Sequence, residues 1–300
     1  MEYRHIDPTG VSPKDFYQYL IGAISPRPIA LVSTLSKEGI SNAAPFSFFN
    51  AFSGKPPIVG FSVNRRGDGV TGEKDTYNNI MVSGELVINT VPYNLAHQMA
   101  LSSAEFASDI NEFERSGFTA MASERVSPWR IGESPIQMEC RLEREIPLTE
   151  DGAGTYLLLC RILLMHIRAD VLNERGRVDP HRADLTGRMG RQYYIRSSGE
   201  AIFEIPSFSA QSGGYGQIPV CVRESSFFTG KQLTLLAGLP ALPDLPQALE
   251  WAEQEKLDAT LLQHPSRMIA RISAALDGAH VTEAAILTVL LDHLHYQRPS

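Results

Sequence analysis

Three hundred residues, 43% hydrophobic and 20% charged, are enough to bury a sizeable core as one large domain or two ordinary ones. The formal net charge of −7 offers no basic field, which argues against nucleic acid or an acidic membrane surface as a partner. Cys140, Cys160 and Cys221 are far apart with no CxxC spacing, so they read as buried free thiols of a reducing cytoplasm, not as a metal site. The start, MEYRHIDPTGVSPKDF, lacks the basic-then-apolar layout of a signal peptide, and no apolar run approaches the length of a membrane span. The expected location is cytoplasmic, with no membrane partner.

In chain order, a short helix is expected around Pro13 to Leu20. Residues 28–36, PIALVSTLS, are apolar and β-branched, and Lys37-Glu38-Gly39 supplies a hairpin turn. In Asn42 to Asn50, Pro45 argues against a regular central strand and for an edge or a bulge. Residues 58–63 and 85–91 read as further strands. A helix is expected from Asn94 to Ser102, and another over Asn111 to Arg115, stopped by Gly117. Two long strands follow, Ile136 to Leu148 and Tyr156 to Ile167; the second is almost continuously apolar, as for a strand covered on both faces. The missing βα repetition argues against a doubly wound sheet and favours a closed or partly closed antiparallel barrel.

The composition changes near residue 206. Residues 206–216, PSFSAQSGGYG, read as a linker, followed by the strand-like IPVCV and then by helices. Ser266 is expected to cap a helix carrying Ile269, Ile272 and Leu276, and Thr282 to start another with Ile286, Val289, Leu290 and Leu294. His293 and His295 lie two apart and point different ways on a helix, so they read as surface residues, and no metal site is expected.

No GxSxG, HExxH, GxxxxGK[ST] or GxGxxG pattern occurs. An enzyme of this sequence would take its chemistry from a cofactor. The stretch Gly72 to Ile80, GEKDTYNNI, sets a cation, an anion and a hydroxyl ahead of an apolar segment. It reads either as an exposed turn entering a helix, or as an anion site at a helix N-terminus to which Lys74 adds charge.

The segments SPRPIALVST (25–34), NAAPFSFFN (42–50), PPIVGFSV (56–63), KDTYNNI (74–80) and ELVINTV (85–91) resemble, in order, the signature segments of the flavin reductase-like, FMN-binding split-barrel family. That family includes flavoredoxins and the reductase components of two-component flavin monooxygenases. Glu112 to Phe118, Ser134 to Cys140, His166 and Arg188-Met189-Gly190 with Tyr193 continue the resemblance, which covers roughly residues 10 to 200. It implies an α+β fold, mainly β: an antiparallel split β-barrel with short helices over residues 1–205, to which this chain adds a helical extension over 206–300.

The same resemblance implies FMN as cofactor and NADH or NADPH as co-substrate. Lys74 and Thr76 would hold the phosphate, with Asp75 fixing the turn. Pro45, Phe46, Ser47 and Asn50 would lie along the ring and ribityl chain, with Phe48 and Phe49 as apolar cover. Arg27 and Ser62 are second contacts, and Arg65 a reach to phosphate or nicotinamide dinucleotide. His97 is a candidate on the nicotinamide side, His166 a satisfied strand histidine, and Arg188 and Tyr193 candidates to close over the flavin. No side-chain nucleophile is required.

Three functions follow: an NAD(P)H-dependent FMN reductase supplying a separate monooxygenase, a flavoredoxin-like electron carrier, or a non-catalytic flavin-binding protein whose C-terminal helices engage a partner. A homodimer is expected.

Overall fold

A computed structural model describes residues 1–65, 72–104, 110–149, 154–205, 214–258, 261 and 264–296. The chain divides into two compact units, Met1–Ile202 and Phe203–Ser300.

The first unit opens with α1 (Pro13–Ala23), capped by the Ser12 hydroxyl, which accepts from the Asp15 N–H at 3.1 Å. Then come β1 (Arg27–Pro28), β2 (Ala30–Leu35), β3 (Ser41–Phe46), β4 (Phe49–Gly54) and β5 (Pro57–Asn64). Helix α2 (Asp75–Ser83) leads into β6 (Glu85–Thr90), followed by α3 (Ala96–Leu101) and α4 (Glu112–Ser116). The strands β7 (Ala120–Met121), β8 (Arg130–Ile131), β9 (Ile136–Pro147) and β10 (Thr155–Ile167) precede α5 (Pro180–Ala183), β11 (Thr186–Arg188) and β12 (Tyr194–Arg196).

Seven strands form one sheet in the order β3-β2-β6-β9-β10-β5-β4, and every pairing is antiparallel. Laid flat, the outermost strands would stand about 29 Å apart at about 4.8 Å per strand. Yet β3 and β4 are joined by Ser47 and Phe48 alone, a link that reaches at most about 11 Å. The sheet must therefore curl until its edges meet, and Ser47–Phe48 marks the seam. Pro45, which has no N–H to donate, lies on edge strand β3, where the ladder tolerates it.

Residues 29–32, at the start of β2, alternate between two cores. Ala30 and Val32 join Phe61, Ile80, Leu86 and Leu158 inside the barrel, whereas Ile29 and Leu31 pack with Met99 and Phe113 of α3 and α4. Cys140 and Cys160 are buried in the barrel core. Desolvation there pushes the Cys160 thiol up to about 12 and raises Cys140 as well, so both stay protonated and unreactive.

The second unit holds α6 (Val220–Arg223), α7 (Gly230–Ala237), α8 (Leu245–Gln254), α9 (Pro265–Asp277) and α10 (Val281–Tyr296). Thr229 with Gln232, and Asp244 with Gln247, form capping boxes on α7 and α8. Leu236, Met268, Ile272, Leu276, Leu287 and Leu290 are central to its core.

Four sequence expectations differ here. IPVCV is not a strand: Val220–Arg223 is helical, with Ile218 and Val222 buried in the helical core, and a short apolar run cannot separate the two states by periodicity. Helix α9 starts at Pro265 with His264 as N-cap, not with Ser266, because proline is preorganised for the first helical position. Val281, not Thr282, opens α10. Strand β10 is not covered on both faces: Arg161, Leu163 and Met165 are exposed on it, so its apolar run does not report two-sided burial. Residues 206–213 of the expected linker lie outside the described residues. Among the described residues no helix is long and apolar enough to cross a membrane.

Candidate functional site

Helix α2 is fixed on the barrel by Thr76 and Ile80, both buried. Tyr77 adds to this by stacking on Tyr156 at 4.5 Å and donating to Glu145 at 2.8 Å. Its N-cap is Lys74 in extended conformation, and among the described residues no side chain caps the helix. A lysine side chain has no acceptor to offer, so Lys74 itself does not satisfy the first-turn N–H groups. Lys74 Nζ stands 5.7 Å from the Phe46 ring and has no carboxylate partner among the described residues.

Below this start lies a buried polar network. Glu112, 8% exposed, accepts the Ala43 N–H at 2.7 Å. The Asn42 amide satisfies both neighbours when its NH2 donates to Glu112 Oε2 at 3.1 Å and its carbonyl accepts from the Thr76 hydroxyl at 2.9 Å. The reverse orientation, with the NH2 donating to Thr76, would set the amide oxygen against a carboxylate. The Thr76 hydroxyl is thus occupied inside the protein, and what Thr76 can offer an anion is its backbone N–H.

A cleft follows the barrel seam. At one end it is lined by Ala44, Pro45, Lys74, Asp75, Thr76 and Ser103. In the middle it is lined by Tyr17, Phe46, Ser47, Phe48, Ser62 and Lys74, and Tyr17, Arg27, Pro45, Ser47, Arg188 and Arg191 line the other end. Pro45 borders all three parts, so the strand change at the seam organises the whole cleft.

Arg27, 6% exposed, donates to the carbonyls of Ile21 (2.6 Å), Ile24 and Met189 (3.2 Å), which caps the C-terminal end of α1. Burial lowers its pKa, opposed by Tyr17 and reinforced by Arg188, yet a guanidinium stays charged. It lies 5.6 Å from the Phe48 ring.

The fold thus gathers Lys74, Asp75, Thr76, Pro45, Phe46, Ser47, Ser62 and Arg27 at one cleft. Five candidates do not line it: Phe49 packs on the barrel core, Tyr193 is exposed between β11 and β12, and Asn50, Arg65 and His97 lie elsewhere. Asn50 is exposed on β4 and accepts the N–H of Ala51 at 2.8 Å. Arg65 pairs with Glu73 at 3.0 Å. His97 is exposed on α3, whereas Met99 of the same helix reaches the cleft.

His166 is satisfied in its strand: Nε2 meets Glu139 at 2.6 Å. The fully buried Glu139 also accepts the N–H groups of Glu124 (2.9 Å) and Arg125 (2.5 Å). Burial alone would raise the Glu139 pKa, but these donors outweigh it and hold the carboxyl below its usual range. Tyr17, Asn42, Ser103, Glu112, Arg191 and Tyr194 were not among the sequence candidates. Asn42 and Glu112 sit inside the resembling segments; Tyr17 carries no local signal.

Residues 22–181 match the family model described as "Flavin reductase like domain". The chain belongs to the flavin reductase-like family. An uncharacterized protein of Aquifex aeolicus is 34% identical over 189 residues, which are 63% of this chain and 93% of that protein. Among solved structures, nitrilotriacetate monooxygenase component B from Bacillus cereus superposes with a TM-score of 0.63 at 32% identity, covering 68% of this chain and 99% of that one. The 2-nitrobenzoate 2-nitroreductase of Pseudomonas fluorescens gives a TM-score of 0.59 at 31% identity, covering 70% and 100%. About a third of this chain therefore lies outside each superposition. The span matched by the flavin reductase-like model holds Lys74 and the seam and stops before β11, so Arg188 and Arg191 fall beyond it.

Proposed function

We propose that the chain is an NAD(P)H-dependent FMN reductase, an oxidoreductase that passes hydride from NADH or NADPH to flavin N5. The observation that carries this reading is the start of α2, where among the described residues no side chain caps the helix and Lys74, which opens on the seam cleft, has no carboxylate partner. A helix start concentrates partial positive charge, and Lys74 adds a full one, which suits a phosphate dianion. The residues present fit FMN. Lys74 and the Thr76 N–H would hold the phosphate, and Asp75 shapes the turn. Pro45, Phe46 and Ser47 would border the ring and chain, with backbone N–H groups at the Ser47–Phe48 bend as donors to its polar edge.

Bound FMN would supply the two-electron acceptor; the protein's own part is to orient the reactants and exclude water. Component B of nitrilotriacetate monooxygenase, similar across the barrel, supports delivery of reduced flavin to a separate oxygenase. In this proposal residues 1–205 carry flavin chemistry and residues 206–300 a distinct role. A second copy of the chain would cover Leu163 and Met165, exposed on β10.

The absorption spectrum of the FMN-loaded protein, taken anaerobically before and after NADH or NADPH, tests this. A yellow protein bleached by either nucleotide supports the reductase. A yellow protein that neither bleaches is an electron carrier reduced by another protein, and a chain that takes up no FMN contradicts the flavin assignment.

A further inference from the structure

The end of the cleft that holds Lys74 carries more acid than base. Two carboxylates, Asp75 and Glu112, line it beside that one lysine, whereas Arg27, Arg188 and Arg191 line the far end without a carboxylate. Asp75 belongs to the first turn of α2, where the helix start favours an acid. Glu112 opens α4, yet its carboxylate leaves that helix and runs to β3.

The position of Glu112 is set by its neighbours. Phe113 is buried with Ile29, Leu31 and Met99, and Asn111 caps α4 by accepting the Phe113 N–H at 3.1 Å. With α4 pinned in this way, Glu112 Oε2 accepts the Ala43 N–H at 2.7 Å and the Asn42 NH2 at 3.1 Å. An ionised carboxylate can only accept. It therefore turns the Asn42 carbonyl towards Thr76, and the Thr76 hydroxyl has to donate inward.

Both consequences oppose an anion at the start of α2. The hydroxyl proton is committed to Asn42, and a negative charge borders the place a phosphate would occupy. A glutamine would keep an acceptor for Ala43 and Asn42 without that charge, so the two hydrogen bonds alone do not account for an acid here. Lys37 and Glu38 line the neighbouring pocket with Asp75 and Glu112, but Lys37 lies 3.5 Å from Glu38, which offsets its charge.

We propose that Glu112 is a positioning residue that holds flavin affinity down. Its charge, and the orientation it imposes on Asn42 and Thr76, weaken the phosphate site that Lys74 strengthens, so that flavin leaves the cleft as an exchangeable ligand. This rests on the flavin reading of the cleft.

Titration of FMN into the native full chain, Glu112→Gln and Glu112→Asp, with stopped-flow measurement of FMN dissociation, tests it. Inorganic phosphate is titrated into the same three proteins. Glu112→Gln should bind FMN about tenfold tighter, mostly through slower departure, and the gain should shrink as salt rises. Glu112→Asp keeps the charge on a shorter stem and should bind FMN no tighter than the native chain. A residue that merely braced β3 would leave the Gln variant at or below native affinity. Inorganic phosphate should follow the same order as FMN.

A Gln variant that is only marginally folded still reads out, because a ligand stabilises the form that binds it: saturating FMN should raise its melting temperature further than it raises the native chain's. If Glu112→Gln gains neither affinity nor a larger shift, or if Glu112→Asp gains as much as Gln, the proposal is overturned. A native chain that binds FMN beside a Gln variant that gains nothing sinks this proposal and keeps the flavin reading. Tighter phosphate on the Gln variant, with no uptake of FMN by any of the three, sinks the flavin reading and keeps the role of the charge. A chain that binds neither loses both.

Discussion

The barrel unit and the helical unit bury different kinds of side chain. In the barrel unit Arg27, Asn42, Thr76, Asn89, Glu112 and Glu139 are all less than 9% exposed, whereas the helical unit, among its described residues, buries Gln232 and Thr288 within an otherwise apolar core. Burying a polar group costs energy unless it is fully paired. Hydrocarbon would have filled those barrel positions at less risk. Most of these groups are paired: Asn89 holds the carbonyl of Leu31 and the N–H of Ile131, and Glu139 gathers three donors. Arg27, Asn42, Thr76 and Glu112 border the cleft, whereas Asn89 and Glu139 brace the barrel away from it, so polar burial distinguishes the barrel unit as a whole, and the helical core is built for packing.

The sharpest way to break that contrast is to damage the apolar core. Leu276→Ala should destabilise the helical unit by about 2–5 kcal/mol through the lost side chain and the cavity left behind, as read by chemical denaturation. FMN affinity under native conditions should stay within about twofold; a flavin site lost with Leu276 would end the division of labour. Next is Glu139→Gln, which leaves its donors facing a neutral amide and should cost about 2–3 kcal/mol.

The Glu139 carboxyl is held low in the folded state. Its contribution is therefore fully present above the ordinary carboxylate value of 4.5 and lost as pH falls through the lowered folded value. Below about pH 4.5 the native protein should lose stability more steeply than the Gln variant; parallel pH profiles would remove Glu139 from the account. Smaller still is Thr76→Val, which deprives Asn42 of its hydroxyl partner at about 1–2 kcal/mol of stability. Because the hydroxyl faces Asn42, FMN affinity should fall by no more than about threefold. A larger loss would make that hydroxyl a phosphate ligand after all.

Much of the fold could be read from short-range pattern. Apolar and β-branched runs marked β2, β5, β6, β9 and β10, and Pro45 marked an edge because a missing N–H is a local fact. The helix that follows Lys74 was legible for the same reason. What depended on distant contacts was not. Periodicity could not say that β10 leaves Leu163 and Met165 exposed, nor that Ile218 and Val222 would be drawn into a helical core. Asn50, Arg65 and His97 are near site residues in sequence, but the exposed run of β4, the Glu73 pair and the exposed side of α3 keep them off the cleft lining. Tyr17 and Arg191 come together because Gly22 meets Gly190, a contact between opposite ends of the barrel unit with no trace in either local stretch.

The account turns on Lys74 as the cation of a phosphate site, and titration of FMN into the native protein and Lys74→Ala at several salt concentrations tests it most directly. Loss of a charge-assisted contact should weaken FMN by about tenfold to hundredfold. The gap should narrow as salt rises, and the melting temperature should hold, since Lys74 makes no side-chain cap to the helix. Equal affinity of the two proteins at every salt concentration would contradict the account.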